Sequence, residues 1–360
     1  MREQIPPMRE SLDEWTVRMM SWHFGEESGS PFWLARRSRL PFDPIRDVTD
    51  YASLRLFGLF DKTDLRGVSA RDLVPRGFAG RPFRVVETGG TSGAPYRVVD
   101  VTRAIYDVRM YRVMLEARGL LGGDVLAMTP SGPHAYGHFV KLLGDSWGAA
   151  VFSVDFDPRW VKHLLRAPNA GAGGASGADA YVDHLVAQTA DILRDERVSL
   201  LFTTARLLMS LAPALDKPLA EYGVRAVCTG GTSCSPEEAR YLREEYLDGV
   251  QWIDTYGNTL AGHALQGDAP SPAGPHSYHL PPPFAVMHVV RPDDVWREVA
   301  EGERGRIRVV TLLEDLFLPN LLERDSAVSA PPHPWFPWPG VARVGPYEAE
   351  DTDQITEGVY

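Results

Sequence analysis

The chain's 360 residues carry 48 acidic and 37 basic side chains, for a net charge of −11, and 44% of them are hydrophobic. A chain of this length buries about three quarters of its unfolded surface, so two or three subdomains around a substantial core are expected. The acidic balance, without any long Lys/Arg run, argues against nucleic acid and anionic membrane surfaces as partners.

Targeting and redox signals are equally sparse. The opening Met1-Arg2-Glu3-Gln4-Ile5-Pro6-Pro7 leads into no apolar segment, so no signal peptide is expected. No run approaches the ~20 apolar residues that span a bilayer, and a cytoplasmic location is expected. Cys228 and Cys234 lack metal-ligand spacing and read as reduced, partly buried thiols.

In chain order, residues 11–24 predict an amphipathic helix capped by Ser11, with Leu12, Trp15, Met19 and Trp22 on one stripe. From Gly25 the prolines at 31, 41 and 44 predict loop, and 63–73 a polar turn. Residues 84–87 and 96–100 read as strands around a Gly/Ser/Thr loop. Thr102 reads as the cap of a helix reaching Arg118, with Ile105, Val108, Val113 and Leu115 as its apolar contacts. Strands at 125–128, 150–154, 199–202, 224–228 and 250–255 alternate with helices at 136–147, 181–194, 206–211 and 235–245, the last capped by Ser235. The Ala/Gly-rich stretch 167–180 reads as a surface loop. This alternation predicts an α/β fold of mostly parallel sheet flanked by helices. Strands at 284–290 and 306–312 predict a smaller, antiparallel, β-rich subdomain, and the Pro/Trp-rich 331–339 is expected to end regular structure. The expected organisation is a helical and loop segment (1–80), an α/β core (81–275), the β-rich subdomain (276–345) and an acidic tail (346–360).

Three loops carry the chemistry. Thr88-Gly89-Gly90-Thr91-Ser92-Gly93-Ala94-Pro95 offers closely approachable backbone N–H groups and hydroxyls to an anion. It lacks the Gly-Lys-Ser/Thr ending of a Walker loop, and on composition alone a plain hairpin is an equal reading. Thr229-Gly230-Gly231-Thr232-Ser233-Cys234-Ser235 lies between a strand and a helix, where open α/β sheets bind ligands. Asp254-Thr255-Tyr256-Gly257-Asn258-Thr259 also closes a strand, and Tyr256 reads either as a base-stacking ring or as a half-buried core tyrosine. None of these loops is a Gly-x-Ser-x-Gly elbow, which excludes a serine hydrolase of that type.

In this order the three loops resemble the signature of the adenylate-forming (AMP-binding) enzymes. Thr88 to Pro95 is similar to their phosphate loop, with Gly89, Ser92 and Ala94 standing where the family has serine, threonine and lysine. Gly230-Gly231-Thr232 followed by Ser235-Pro236-Glu237 resembles their adenine loop. Tyr256-Gly257-Asn258-Thr259-Leu260 resembles their Tyr-Gly-x-Thr/Ser-Glu motif, and Gly302 to Leu312 the strand that precedes their ribose-binding aspartate, for which Asp325 is the candidate. The N-terminal helix, Leu40-Pro41-Phe42 and Lys62-Thr63-Asp64-Leu65-Arg66 resemble the phenylacetate–CoA ligase branch; luciferase-system acyl-protein synthetases are related.

The resemblance implies the large N-terminal lobe of such an enzyme. It implies ATP on Thr88, Gly89, Gly90, Thr91, Ser92, Gly93, Gly230, Gly231, Thr232, Tyr256, Gly257, Thr259 and Asp325. It places a small, aryl carboxylic acid against His134, Tyr136, His138 and Phe139, with His138 and Thr91 in catalytic roles. On the residues alone, His134 and His138 read equally well as structural side chains at a helix start. Leu260 stands where the family has the glutamate that binds Mg²⁺, and leucine offers the ion no oxygen. A glutamate restored there is expected to return a metal ligand. Residues 340–345 resemble the approach to the family hinge, and no small C-terminal lobe is expected after Tyr360. A carrier protein, a separate lobe, CoA as acceptor and self-association follow as expectations. The competing reading is a repurposed fold that binds acyl or nucleotide ligands without adenylating.

Overall fold

A computed structural model describes residues 10–88, 95–166, 175–231, 235–267, 276–334, 336 and 338–347. The chain opens on helices α1 (Leu12–Phe24), α2 (Pro31–Arg37), α3 (Pro44–Asp47) and α4 (Ala70–Leu73), then strands β1 (Arg84–Glu87) and β2 (Arg97–Asp100) and helix α5 (Arg103–Ala117). Next come β3 (Asp124–Pro130), α6 (Ala135–Asp145), β4 (Val151–Phe156), α7 (Pro158–Arg166), α8 (Ala175–Asp195), β5 (Val198–Thr203), α9 (Ala205–Leu211), β6 (Ala226–Gly230), α10 (Pro236–Glu245) and β7 (Gln251–Asn258). The last stretch holds β8 (Gly262–Gln266), β9 (Ser277–His279), β10 (Ala285–Val290), β11 (Arg304–Leu312), β12 (Phe317–Ala330) and β13 (Gly340–Pro346).

Contacts divide these elements into two compact units. Among the described residues, the first combines the chain through Met110 with the chain from Gly257, and the second is Tyr111–Tyr256.

In the second unit β4, β3, β5, β6 and β7 lie side by side, all parallel. Their βα alternation is the one the sequence predicts. Leu126, Leu201 and Val227 from the strands meet Leu185, Leu208 and Leu242 from the helices in one apolar core. Ser235 caps α10 with Glu238 in a reciprocal capping box.

In the first unit β10, β11, β12, β13, β9 and β8 follow one another antiparallel, and β1 pairs with β2. Helix α1 has the expected Ser11 cap, completed by Glu14. Three of its rings donate to consecutive carbonyls: Trp15 Nε1 to Leu312 (2.8 Å), His23 Nε2 to Leu313 (2.7 Å) and Trp22 Nε1 to Glu314 (2.7 Å). Phe24, Trp33 and Phe57 pack around Phe317 beneath it.

Several expectations are corrected. The prolines at 31 and 44 start helices, because at the first helical position the missing N–H costs nothing; Ser30 and Asp43 cap them. The turn expected at 63–73 contains a 3₁₀ helix, Lys62–Leu65, and α4. Thr102 is not the side-chain cap of α5. Two carboxylates take that place: Asp315 accepts from the N–H groups of Val101, Thr102 and Arg103, and Asp100 from that of Ala104. Ile105 and Val113 are exposed, and the buried face of α5 runs through Val108, Tyr111, Met114 and Leu115. Residues 175–180, expected as loop, open α8, since alanine is the strongest helix former; the rest of that loop, 167–174, lies outside the described residues. Regular structure continues past 331–339 into β13. The long β12 escapes the sequence pattern because Pro319 and Asn320 interrupt it. There the register with β11 shifts, and Asn320 takes φ 49, which asparagine tolerates. The tail from 348 lies outside the described residues.

Candidate active site

In the second unit the sequence-singled residues gather at the C-terminal ends of the parallel strands, the edge at which open α/β sheets bind ligands. Gly230 ends β6, and Gly231 follows at φ 83. A side-chain carbon at Gly230 would lie 3.5 Å from the ring and hydroxyl of Tyr136, an ordinary contact distance, so the Tyr136 ring lies against the strand end. Tyr136 stacks on Phe139 at 6.4 Å, and Phe139 meets Tyr111 edge-on at 5.2 Å. Tyr111 Oη lies 3.4 Å from Thr255 Oγ1. Burial raises the phenols of Tyr111 and Tyr136 well above the ordinary range and pushes the Cys228 thiol up to about 12. These groups are therefore neutral donors at physiological pH. Below them Thr229 Oγ1 donates to Asp254 (2.8 Å) and accepts from Trp252 Nε1 (2.8 Å), fixing β6 to β7. His134 is buried at the N-cap of α6, His138 is half-buried one turn further, and Tyr256 is half-buried.

In the first unit the neck of the Thr88 loop is closed by two hydrogen bonds with Tyr96. Thr88 N–H donates to the Tyr96 carbonyl, and Tyr96 N–H donates to Thr88 Oγ1, each at 3.0 Å. Gly89, Gly90, Thr91, Ser92 and Gly93, and likewise Thr232, lie outside the described residues.

The turn after β7 is the most heavily braced part of this unit. A side-chain carbon at Gly257 would collide with the Gly262 carbonyl, so only glycine admits this approach. Asn258 Oδ1 accepts from the N–H groups of Leu260 (2.8 Å) and Ala261 (3.0 Å), and its Nδ2 donates to Glu323 (2.9 Å). From α5, Arg103 donates to the carbonyls of Asn258 (3.1 Å) and Thr259. Asp107 holds Arg103 (3.6 Å) and His263 (3.2 Å). Burial works against ionisation of Asp107, but His263 and Arg103 outweigh it, and the carboxyl titrates below its ordinary range. Glu323, buried on β12, is raised by that burial despite Lys62 at 3.8 Å. Asp325 follows two residues on along β12, half-buried, in register with Pro346.

Leu260 is 4% exposed, and its carbonyl accepts from Thr311 Oγ1 at 2.8 Å. Position 260 is thus a core side chain. A carboxylate there would be buried rather than presented to an ion, which corrects the expectation that glutamate simply restores a ligand. Among the described residues no three His, Cys, Asp or Glu side chains are grouped to hold a metal. The residues present do not fit a metal held at position 260.

Sequence reasoning missed Arg103, Asp107, His263 and Glu323. The i,i+4 spacing of Arg103 and Asp107 is a legible signal, but their partners are more than 150 residues away.

This fold is that of the adenylate-forming CoA ligases. The chain is similar to 2-hydroxyisobutyryl-CoA ligase in the postadenylation state with 2-HIB-AMP: TM-score 0.63, 16% identity, 92% of this chain and 65% of that one covered. It is similar also to the same ligase with 2-HIB-AMP and CoA in the thioesterification state: TM-score 0.62, 15% identity, 96% and 69% covered. The open conformation of that ligase gives 0.61, 16%, 91% and 71%. The chain thus spans about two thirds of the ligase's length. No family model and no curated protein matches the sequence. Among the described residues, no helix is long and apolar enough to cross a membrane.

Proposed function

We propose that this protein, in a cytoplasmic setting, activates a small carboxylic acid with ATP, as an acyl-adenylate. An oxygen of the acid attacks the α-phosphorus, the bond to the leaving oxygen breaks, and pyrophosphate departs. N–H groups and hydroxyls of the Thr88 loop, Thr91 among them, stabilise the developing charge. Gly230, Gly231, Thr232, Tyr256, Gly257 and Thr259 receive the nucleotide, with Asp325 toward the ribose. The acid, aryl in our reading, lies against Tyr136 and Phe139, with His134 and His138 toward its carboxylate. A thiol of CoA or a carrier protein then takes the acyl group, with a small lobe supplied by this or another chain. The observation that supports the reading best is the packing of Tyr136 and Phe139 over the Gly230 strand end, in a fold shared with ligases that hold an acyl-adenylate.

A second reading, a fold repurposed to bind such ligands without adenylating, draws on the burial of Leu260. Two measurements separate them. Calorimetry with ATP and AMP, with and without Mg²⁺, reads binding. Pyrophosphate exchange over a panel of aryl and short hydroxy acids reads chemistry. Acid-dependent exchange supports adenylation, binding without exchange supports the repurposed fold, and no binding at millimolar nucleotide overturns both.

A further inference from the structure

Away from the strand-end loops, the first unit holds a cavity of about 20 Å³ between α1, α2 and the turn leading into β12. Apolar side chains form most of its wall, among them Trp33, Val99 and Phe317, and three polar residues reach it: His23, Ser30 and Asp315. They are 1%, 1% and 2% exposed.

His23 Nε2 faces the Leu313 carbonyl at 2.7 Å. A carbonyl only accepts, so Nε2 carries the proton. Burial pushes this imidazole down to about 4, so it is neutral near pH 7 and Nδ1 is a bare acceptor. Nδ1 has no partner among the described residues. Asp315 spends Oδ2 on the N–H groups that open α5, while Oδ1 is likewise without a partner among the described residues. Ser30 Oγ accepts from Trp33 N–H at 3.4 Å and keeps a hydroxyl proton to give. The residues that carry these two buried acceptors and one donor line a space large enough for a single water, which requires two to four polar partners.

We propose that this cavity is a binding site for one internal water. The water donates to His23 Nδ1 and Asp315 Oδ1 and accepts from Ser30 Oγ–H. It joins α1, the start of α2 and the carboxylate cap of α5 into one hydrogen-bonded knot.

A high-resolution crystal structure of the full chain tests this. The expected result is one water-sized density peak within hydrogen-bond distance of both His23 Nδ1 and Asp315 Oδ1. An empty cavity, a direct His23–Asp315 bond, or a peak that refines as an ion overturns the proposal, and the wild-type protein alone decides among these. Asp315→Asn keeps an oxygen for the helix N–H groups and turns an N–H₂ toward the water, so the peak persists. His23→Phe removes one acceptor and fills the space, so the peak disappears. A peak retained in His23→Phe overturns the assignment.

Discussion

The two units reach order by different means. The second unit's parallel strands are fixed by an apolar core in which leucine and valine predominate. The first unit's decisive positions are held by polar side chains that bond backbone groups: buried Asp315 at the start of α5, Asn258 and buried Arg103 on the turn after β7, and buried Asn320 on the Leu54 and Gly58 carbonyls. Apolar burial tolerates variation in shape, whereas a buried polar contact is lost outright when one partner goes. The first unit is therefore the more sensitive to single polar changes and to pH.

Leu260→Glu tests that contrast most severely. It places an unpaired carboxylate in the first unit's interior, and a loss of about 4 kcal/mol is expected from denaturant midpoints. A stable, pyrophosphate-exchanging Leu260→Glu protein would show that position 260 can turn outward.

Acid is the next largest perturbation. His23 is pushed from 6.5 down to about 4, so the unfolded chain takes up its proton first. The stability from keeping His23 neutral is complete above pH 6.5. It is lost progressively as pH falls and is gone below about 4, a total of roughly 3 kcal/mol. His279, also lowered to about 4, adds in the same direction. Asp315 and Glu323, raised by burial, oppose it, because the folded state holds their protons more tightly. The expected signature is a shallower stability slope between pH 6.5 and 4 in His23→Gln than in wild type.

Arg103→Ala removes two carbonyl contacts and leaves Asp107 with His263 alone. A loss of about 2–3 kcal/mol is expected, with faster amide exchange confined to residues 258–263. Asn258→Ala, which frees the Leu260 and Ala261 N–H groups, is expected to cost about 1–2 kcal/mol on the same assay. An effect of either variant spread evenly over the second unit would erase the distinction between the units.

The same contrast explains what was legible in the sequence. The second unit is written largely in local periodicity, so its strands and its helices other than α7 and the start of α8 could be placed from residue spacing, and Ser235 was legible as a cap. The first unit depends on partners hundreds of residues apart. Nothing near Thr102 signals that Asp315 caps its helix, and nothing near Leu260 signals that its side chain turns inward. Glycines with a chemical reason were visible as motifs. Gly257 admits the Gly262 carbonyl, although the sequence could not say which neighbour it accommodates.

The bond from Trp15 to the Leu312 carbonyl spans 297 residues. During synthesis at about 5–20 residues per second, α1 therefore waits roughly 15–60 s for the strand that covers it. Throughout that interval Trp15 lacks its carbonyl acceptor on β11. The second unit, Tyr111–Tyr256 among the described residues, is meanwhile complete enough to fold. Helix α1 thus leaves the ribosome well before the carbonyl it bonds to. Helix α1 is the segment on which chaperone engagement during translation is expected to concentrate.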